Sequence, residues 1–494
     1  LKDFTLGAVA AVAATIAIGC GGDSTQPAPP PPPPPPLVKS SVQFISGRGQ
    51  SDTIGSPFKT SVVLKVVDTT GAPRSRALIL LEILASTDPR VPAGKRSDGL
   101  RGSFVLSDSV GTATVPIGFG CVAGTWTLRA RNPTNNDSDT LSFVVNPGQP
   151  ARVVTTPEDS ALTLGKTATL AVTTTDRCNN SVSAAVTFAV DSSAPVVAVT
   201  SDGRVSATSF GRARIRAQLA SGGAADTTRL SVVPDGMLGV AVSGYATDVG
   251  IGILNLDGSG FRLLTSASNQ YPFPSWSPDG TAITYNGPLP IGILYRVDLN
   301  GVRTKLSMLG AMESETWPRY SSDGRYIYFT GGYYPDSLDT YRMAADGSGP
   351  RIRVTPRRPG STRYWKASPS PDGTLLAYSN AGFSLRVVNL VTGVDRTLQT
   401  GSSAESPRFS PDGAWIAFAD EYGGVMKLIR PDGTGLRTLV PSAVDYWGHD
   451  WSPDGEWIVY RQSPPGLWIV RVSDGLRIPL PYSRDFYFPT WRPR

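Results

Sequence analysis

Ser277-Pro278-Asp279-Gly280 returns as Ser321-Ser322-Asp323-Gly324, Ser370-Pro371-Asp372-Gly373, Ser410-Pro411-Asp412-Gly413 and Ser452-Pro453-Asp454-Gly455. The motif is a turn with a mechanism. Proline presets φ, the aspartate carboxylate bonds its own backbone, and glycine takes the left-handed position. The aspartates at 279, 323, 372, 412 and 454 stand 44, 49, 40 and 42 residues apart. An alternating strand follows each turn, as in Trp415 to Phe418 and Trp457 to Tyr460. Later in each unit comes a second turn: Asn300-Gly301, Asp346-Gly347, Thr392-Gly393, Asp432-Gly433 and Asp474-Gly475. Two hairpins per repeat, at a period of roughly 40–45 residues, are the signature of four-stranded propeller blades.

The flanks complete the count. Val240 to Thr265 carries the later strands of a blade, with the turn Asp257-Gly258, and Phe488 to Trp491 carries a first strand. Pairing the two segments closes a ring of six blades and removes open sheet edges. The pattern Pro-x-Trp-Ser-Pro-Asp-Gly followed by alternating Ile and Tyr resembles the TolB-type propeller across 237–494. That resemblance implies a six-bladed domain. The TolB partner, the peptidoglycan-associated lipoprotein, is not carried over, because two other modules stand where TolB has a different N-terminal domain.

Those modules read as β-sandwiches, from short alternating strands at regular spacing. In 41–150 the strands around Ser61 to Asp68, Ala77 to Ile83, Asp108 to Pro116, Ala123 to Ala130 and Leu141 to Val145 resemble bacterial Ig-like modules of the intimin/invasin type. In 151–235, Ser201 to Ala207 and Gly211 to Ala217 are similar to the tail of a second bacterial Ig-like type. The fold class is therefore all-β: two Ig-like β-sandwiches followed by a six-bladed β-propeller. Gly 52 and Pro 43 in 494 residues suit many tight turns.

Ahead of the modules, Phe4 to Gly19 is apolar and ends at Ala17-Ile18-Gly19-Cys20. The stretch is shorter than the roughly 20 residues of a bilayer span and matches a signal-peptide core. Ala17 to Cys20 resembles a bacterial lipobox, which implies lipid attachment at Cys20 and a place in the cell envelope, periplasmic or surface-exposed. Residues 21–40 form a linker whose Pro29 to Pro36 run favours polyproline II and spans about 25 Å. Two further cysteines, Cys121 and Cys178, form either one bridge, as export would permit, or two buried thiols.

A net charge of +6 without a basic run argues against nucleic acid. The repeated aspartates sit in separate turns and do not converge. His449 is the one histidine, at a position where four other blades carry Pro274, Pro318, Pro407 and Pro489. Motifs for metal-assisted hydrolysis, acyl transfer or phosphate binding are missing from the sequence, so no catalytic residue, metal or cofactor is expected. Nine of the ten Trp lie beyond Met237, which places the binding material in the propeller. Its candidate face combines Tyr271, Phe273, Trp317, Tyr364, Trp365, Tyr446, Trp447 and Tyr487 with Arg319, Arg408, His449 and Asp450. Aromatics plus arginines suit an envelope protein or a glycan. The expected function is that of a non-catalytic envelope lipoprotein presenting its propeller for binding. The alternatives are a propeller-type lyase or glycan hydrolase, and a structural stalk with an inert propeller.

Overall fold

The computed structural model describes residues 41–86, 103–115, 121–192, 195–242, 250–266, 272–287, 292–307, 314–333, 337–356, 365–380, 384–399, 404–420, 424–442, 444–462, 466–482 and 485–494. The described residues form strands joined by turns, with no helix among them. Residues 1–40, on which the expected signal segment, Cys20 and the proline run fall, lie outside them. The chain divides into two compact units, one ending at Asn146 and one starting at Pro147.

In the first unit, Ser51–Thr53, Ser138–Asn146, Gly124–Arg131, Leu78–Ser86 and Ser103–Leu106 make a five-stranded sheet in that order. Ser41–Ser46, Val62–Val67 and Thr112–Val115 make a three-stranded sheet. Alternate residues point inward from both, so Val62, Leu64 and Val66 meet Trp126, Leu128, Leu141 and Phe143 in one core. The arrangement is a β-sandwich.

The second unit begins with another small sandwich. Its largest sheet runs Asp159–Thr163, Ala225–Val233, Gly211–Leu219, Val186–Val190. The inward residues of Gly211–Leu219 and Ala225–Val233 close over Leu170 and Val205. This sandwich then packs on the domain that follows it. Phe210 meets Trp457 edge to face at 5.1 Å between ring centroids, and the Ser231 hydroxyl donates to the Pro479 carbonyl at 2.8 Å.

From Met237 onward the chain folds into six four-stranded sheets. Blade 1 spans Ser275–Lys305, blade 2 Ser314–Arg353, blade 3 Trp365–Gln399, blade 4 Ala404–Val440 and blade 5 Val444–Pro479. Blade 6 is the split one: Phe486–Trp491 is its inner strand, paired antiparallel to Met237–Val242 with Leu238 opposite Trp491. The inner strands neighbour one another in blade order, and the last touches the first. The ring of six expected from the repeats is closed.

Each repeated turn is locked within a few residues. In blade 4 the Ser410 hydroxyl donates to Asp412 Oδ1 at 2.5 Å, Ala414 N donates to the same oxygen at 3.0 Å, and Trp415 N donates to Ser410 Oγ at 2.9 Å. Gly413 has φ +72°, a conformation glycine adopts without steric cost. The same bonds recur at Asp279, Asp323, Asp372 and Asp454. These hydrogen bonds hold the Asp279, Asp372 and Asp412 carboxyls below their ordinary range, the serine hydroxyl contributing most. Asp323, which adds Arg325, falls to about 2. The repeated carboxylates are turn locks, consumed locally.

Candidate functional site

The site is built by one irregularity repeated around the ring. In blades 2, 3, 4 and 5 the pairing of the inner strand with its neighbour slips, between Thr316 and Arg319, Trp365 and Ser368, Glu405 and Arg408, and Val444 and His449. At those slips, four residues before the turn serine, the backbone turns to positive φ: Trp317 50°, Lys366 56°, Ser406 54° and Gly448 133°. Phe488 of blade 6, φ 48°, holds the same place. These are β-bulges. A left-handed bulky residue costs on the order of 1–3 kcal/mol and persists only where its surroundings over-determine it.

The bulge sorts the channel side chains into two layers. Three residues at the bulge position form an aromatic layer: Phe273 lies 4.9 Å from Trp317 and 4.3 Å from Phe488 between ring centroids. Phe273 and Phe488 are buried, and the void between this layer and the arginines is only 20 Å³. Two residues further along each inner strand stand Ser275, Arg319, Ser368, Arg408, Asp450 and Thr490, one from each blade. All six line a recess of 360 Å³ that opens on the side of the repeated turns and is rimmed by their prolines.

The charges in the recess do not cancel. Arg319 Nη1 lies 3.6 Å from Asp450 Oδ2. That carboxylate oxygen also accepts from the Thr490 hydroxyl at 2.7 Å and from Trp491 N at 3.1 Å. Arg408 is 8% exposed. Its Nη1 donates to its neighbour's carbonyl, Pro407 O, at 2.8 Å, and its buried Nε has no hydrogen-bond partner. Burial, then repulsion from Arg319, pulls the Arg408 guanidinium well below its ordinary range. A guanidinium starts so high that it stays charged near neutrality. The nearby charges of the inner strands are matched: Lys366 with Glu405 at 2.6 Å, Glu315 with Arg351 at 2.7 Å, and Arg461 with Asp445.

The sequence-predicted face thus separates into parts. Arg319, Arg408 and Asp450 come together in the recess, and Phe273 and Trp317 come together in the aromatic layer. Tyr487 sits under the Arg461 guanidinium, 4.1 Å from its ring centroid. His449 departs from the expected face. It is fully buried, and its Nε2 lies 3.3 Å from the Ala417 carbonyl of blade 4. The residue after the bulge turns away from the channel, which is why proline is accommodated there in other blades. Burial, then repulsion from Arg408, pushes the imidazole down to about 3. It is neutral at physiological pH and touches no surface. Tyr271 and Tyr364 lie outside the described residues, as do the side chains of Trp365, Tyr446 and Trp447. Sequence reasoning missed Ser275, Ser368 and Thr490. The signal was available as a fixed offset, two residues before the turn serine or its equivalent Arg492.

A larger groove of 760 Å³ runs between the turns of blades 1 and 2. Its carboxylates Asp279, Asp298, Asp323 and Asp346 all accept hydrogen bonds from their own turns. The recess, where the buried Arg408 Nε lacks an acceptor, is the better candidate.

No family model matches the chain. An uncharacterized protein of Agrobacterium fabrum is 27% identical over 241 residues, which cover 47% of this chain and 76% of that protein. Among solved structures, TolB from Acinetobacter baumannii is similar with a TM-score of 0.45 and 17% identity, over 60% of this chain and 82% of that one. A putative TolB from Agrobacterium tumefaciens is similar with a TM-score of 0.40 and 19% identity, over 53% of this chain and 100% of that one. The architecture itself rests on the closed ring of six four-stranded sheets, which makes the part of the chain from Met237 onward a six-bladed β-propeller.

Proposed function

We propose that this chain is a non-catalytic lipoprotein of the bacterial envelope, tethered through Cys20, whose propeller binds a protein partner at the channel recess. The observation that carries this reading is the recess layer itself. Six blades each contribute one side chain at the same offset, and together these present two guanidiniums, a carboxylate and three hydroxyls on an open floor. Convergent polar groups inside a rim of prolines and tryptophans match the anatomy of a recognition pocket. The proline run and the two sandwiches, which resemble Ig-like modules, serve as spacers between anchor and propeller. His449, buried and neutral, is no acid–base residue for a lyase.

The test is cross-linked capture from an envelope fraction with the wild-type chain and an Arg319→Ala/Arg408→Ala chain. Loss of one protein partner in the variant supports the binding role. An identical set of captured proteins in both points to an inert stalk, and loss of glycan alone points to a glycan receptor. Labelled palmitate on Cys20, with globomycin-sensitive processing, tests the anchor. A fully soluble, unlabelled product defeats it.

A further inference from the structure

We propose that Arg408, with Arg319 beside it, is the seat of a single carboxylate carried by the bound partner, a chemistry that presupposes the binding role above. Arg319 already holds the Asp450 carboxylate, and that group's Oδ2 is also taken up by Thr490 and Trp491 N. Arg408 is left as a buried cation whose Nε–H has no acceptor and which, among the described residues, has no carboxylate within ion-pair distance. An uncompensated buried charge is among the least favourable features a core can carry. It is kept where a ligand supplies the counter-charge.

Two guanidiniums against one carboxylate leave an excess of one positive charge on the recess floor. A carboxylate neutralises it, whereas a phosphate dianion would reverse the sign. The guanidinium fork also matches a carboxylate in plane, through two parallel N–H bonds. Ser275 and Ser368 line the same floor and add hydroxyl donors beside the fork. The aromatic layer beneath leaves only a 20 Å³ void, so the carboxylate arrives from the turn side and stops at the arginines. Its source is an acidic side chain or the free C-terminus of the partner chain. A free small carboxylate shares the chemistry.

The experiment is a titration of the full chain, followed by tryptophan fluorescence, because Trp276, Trp451 and Trp491 line the recess. The probes are acetate, inorganic phosphate, and three short peptides: one capped with an internal Asp, its Asn twin, and one with a free C-terminus. At least one carboxylate-bearing peptide is expected to bind saturably, with its uncharged counterpart roughly tenfold weaker or worse. The Asp peptide binding best assigns an acidic side chain, the free-ended peptide a chain terminus, and acetate matching both a free small acid. Arg408→Met is expected to abolish the signal. Arg408→Lys, which keeps the charge without the fork, is expected to weaken it about tenfold and stands in should the Met variant not fold. The proposal is overturned if the Asp and Asn peptides bind alike and the free-ended peptide and acetate do not bind. Phosphate outbinding acetate, or binding that is undiminished in both Arg408 variants, overturns it equally. A captured protein partner combined with no carboxylate binding would sink this seat and leave the binding role standing.

Discussion

Arg319 of blade 2 and Asp450 of blade 5 stand on opposite sides of the ring and meet across the channel at 3.6 Å. Each side chain is less than one fifth exposed, so the pair is a strut in a low-dielectric site. Removing one member of such a pair strands the other, at about 3–5 kcal/mol. Asp450→Asn keeps the shape and an acceptor for Thr490 but leaves two guanidiniums facing each other. Urea unfolding is expected to show a loss of about 3 kcal/mol. Adding Arg319→Met to the same chain is expected to recover part of it. An unshifted midpoint in Asp450→Asn would remove the strut from the account.

Arg408 gives the opposite sign. Among the described residues its guanidinium makes no ion pair and its Nε no hydrogen bond, so its removal relieves a desolvation cost and releases repulsion on Arg319. Arg408→Met is expected to stabilise the chain by about 1–2 kcal/mol, in the range seen when buried charges give way to apolar side chains. The check is the shift in the urea midpoint at constant slope. A destabilised Arg408→Met would mean that the arginine serves packing, and that function does not explain its retention.

The six blades were legible because their signal is local. Every bond that locks Ser410-Pro411-Asp412-Gly413 falls within five residues, so the motif keeps its meaning wherever it occurs. The closing strand was legible for a related reason, since Phe488 to Trp491 repeats the start of a blade. The site was only partly so. A bulge moves every following side chain to the other face, and nothing in Trp317 or Ser406 as residue types announces a positive φ. Aromatics and arginines that are neighbours in sequence therefore part into two layers, and His449 turns into blade 4. The Arg319–Asp450 contact is further from view, because it exists only once the ring has closed.

The turn lock carries its own prediction. Ser410→Ala removes the acceptor of Trp415 N and the donor to Asp412, at a cost of about 1–2 kcal/mol. The Asp412 carboxyl is also expected to climb back toward its ordinary range, since the Ser410 hydroxyl is the leading cause of its depression. Thermal melts and carboxyl titration by NMR read the two effects. A melt identical to wild type would show that the backbone bonds hold the turn alone.

The cysteines are checked by mass. Besides Cys20, the chain has only Cys121 and Cys178, and export to an oxidising compartment favours a bridge. Alkylation of the denatured, unreduced chain is expected to leave both unmodified, and reduction is expected to expose two thiols. Modification of both without reductant would establish free thiols.

His449 supplies the pH dependence. Its imidazole is buried with Nε2 on the Ala417 carbonyl, and burial pushes it from 6.5 in the open chain down to about 3. Between those values the unfolded chain binds a proton that the folded chain refuses. The stabilising contribution of the neutral ring is therefore full above pH 6.5 and shrinks as pH falls toward 3. Between pH 7 and pH 5 this one group is expected to cost about 2 kcal/mol of stability. His449→Gln keeps a side-chain N–H donor and removes the titration, so its stability is expected to be nearly flat over the same interval. The window lies above the range where carboxylates titrate, which isolates the histidine. Parallel decline of wild type and His449→Gln from pH 7 to pH 5 would assign the acid sensitivity elsewhere and place the ring in contact with solvent.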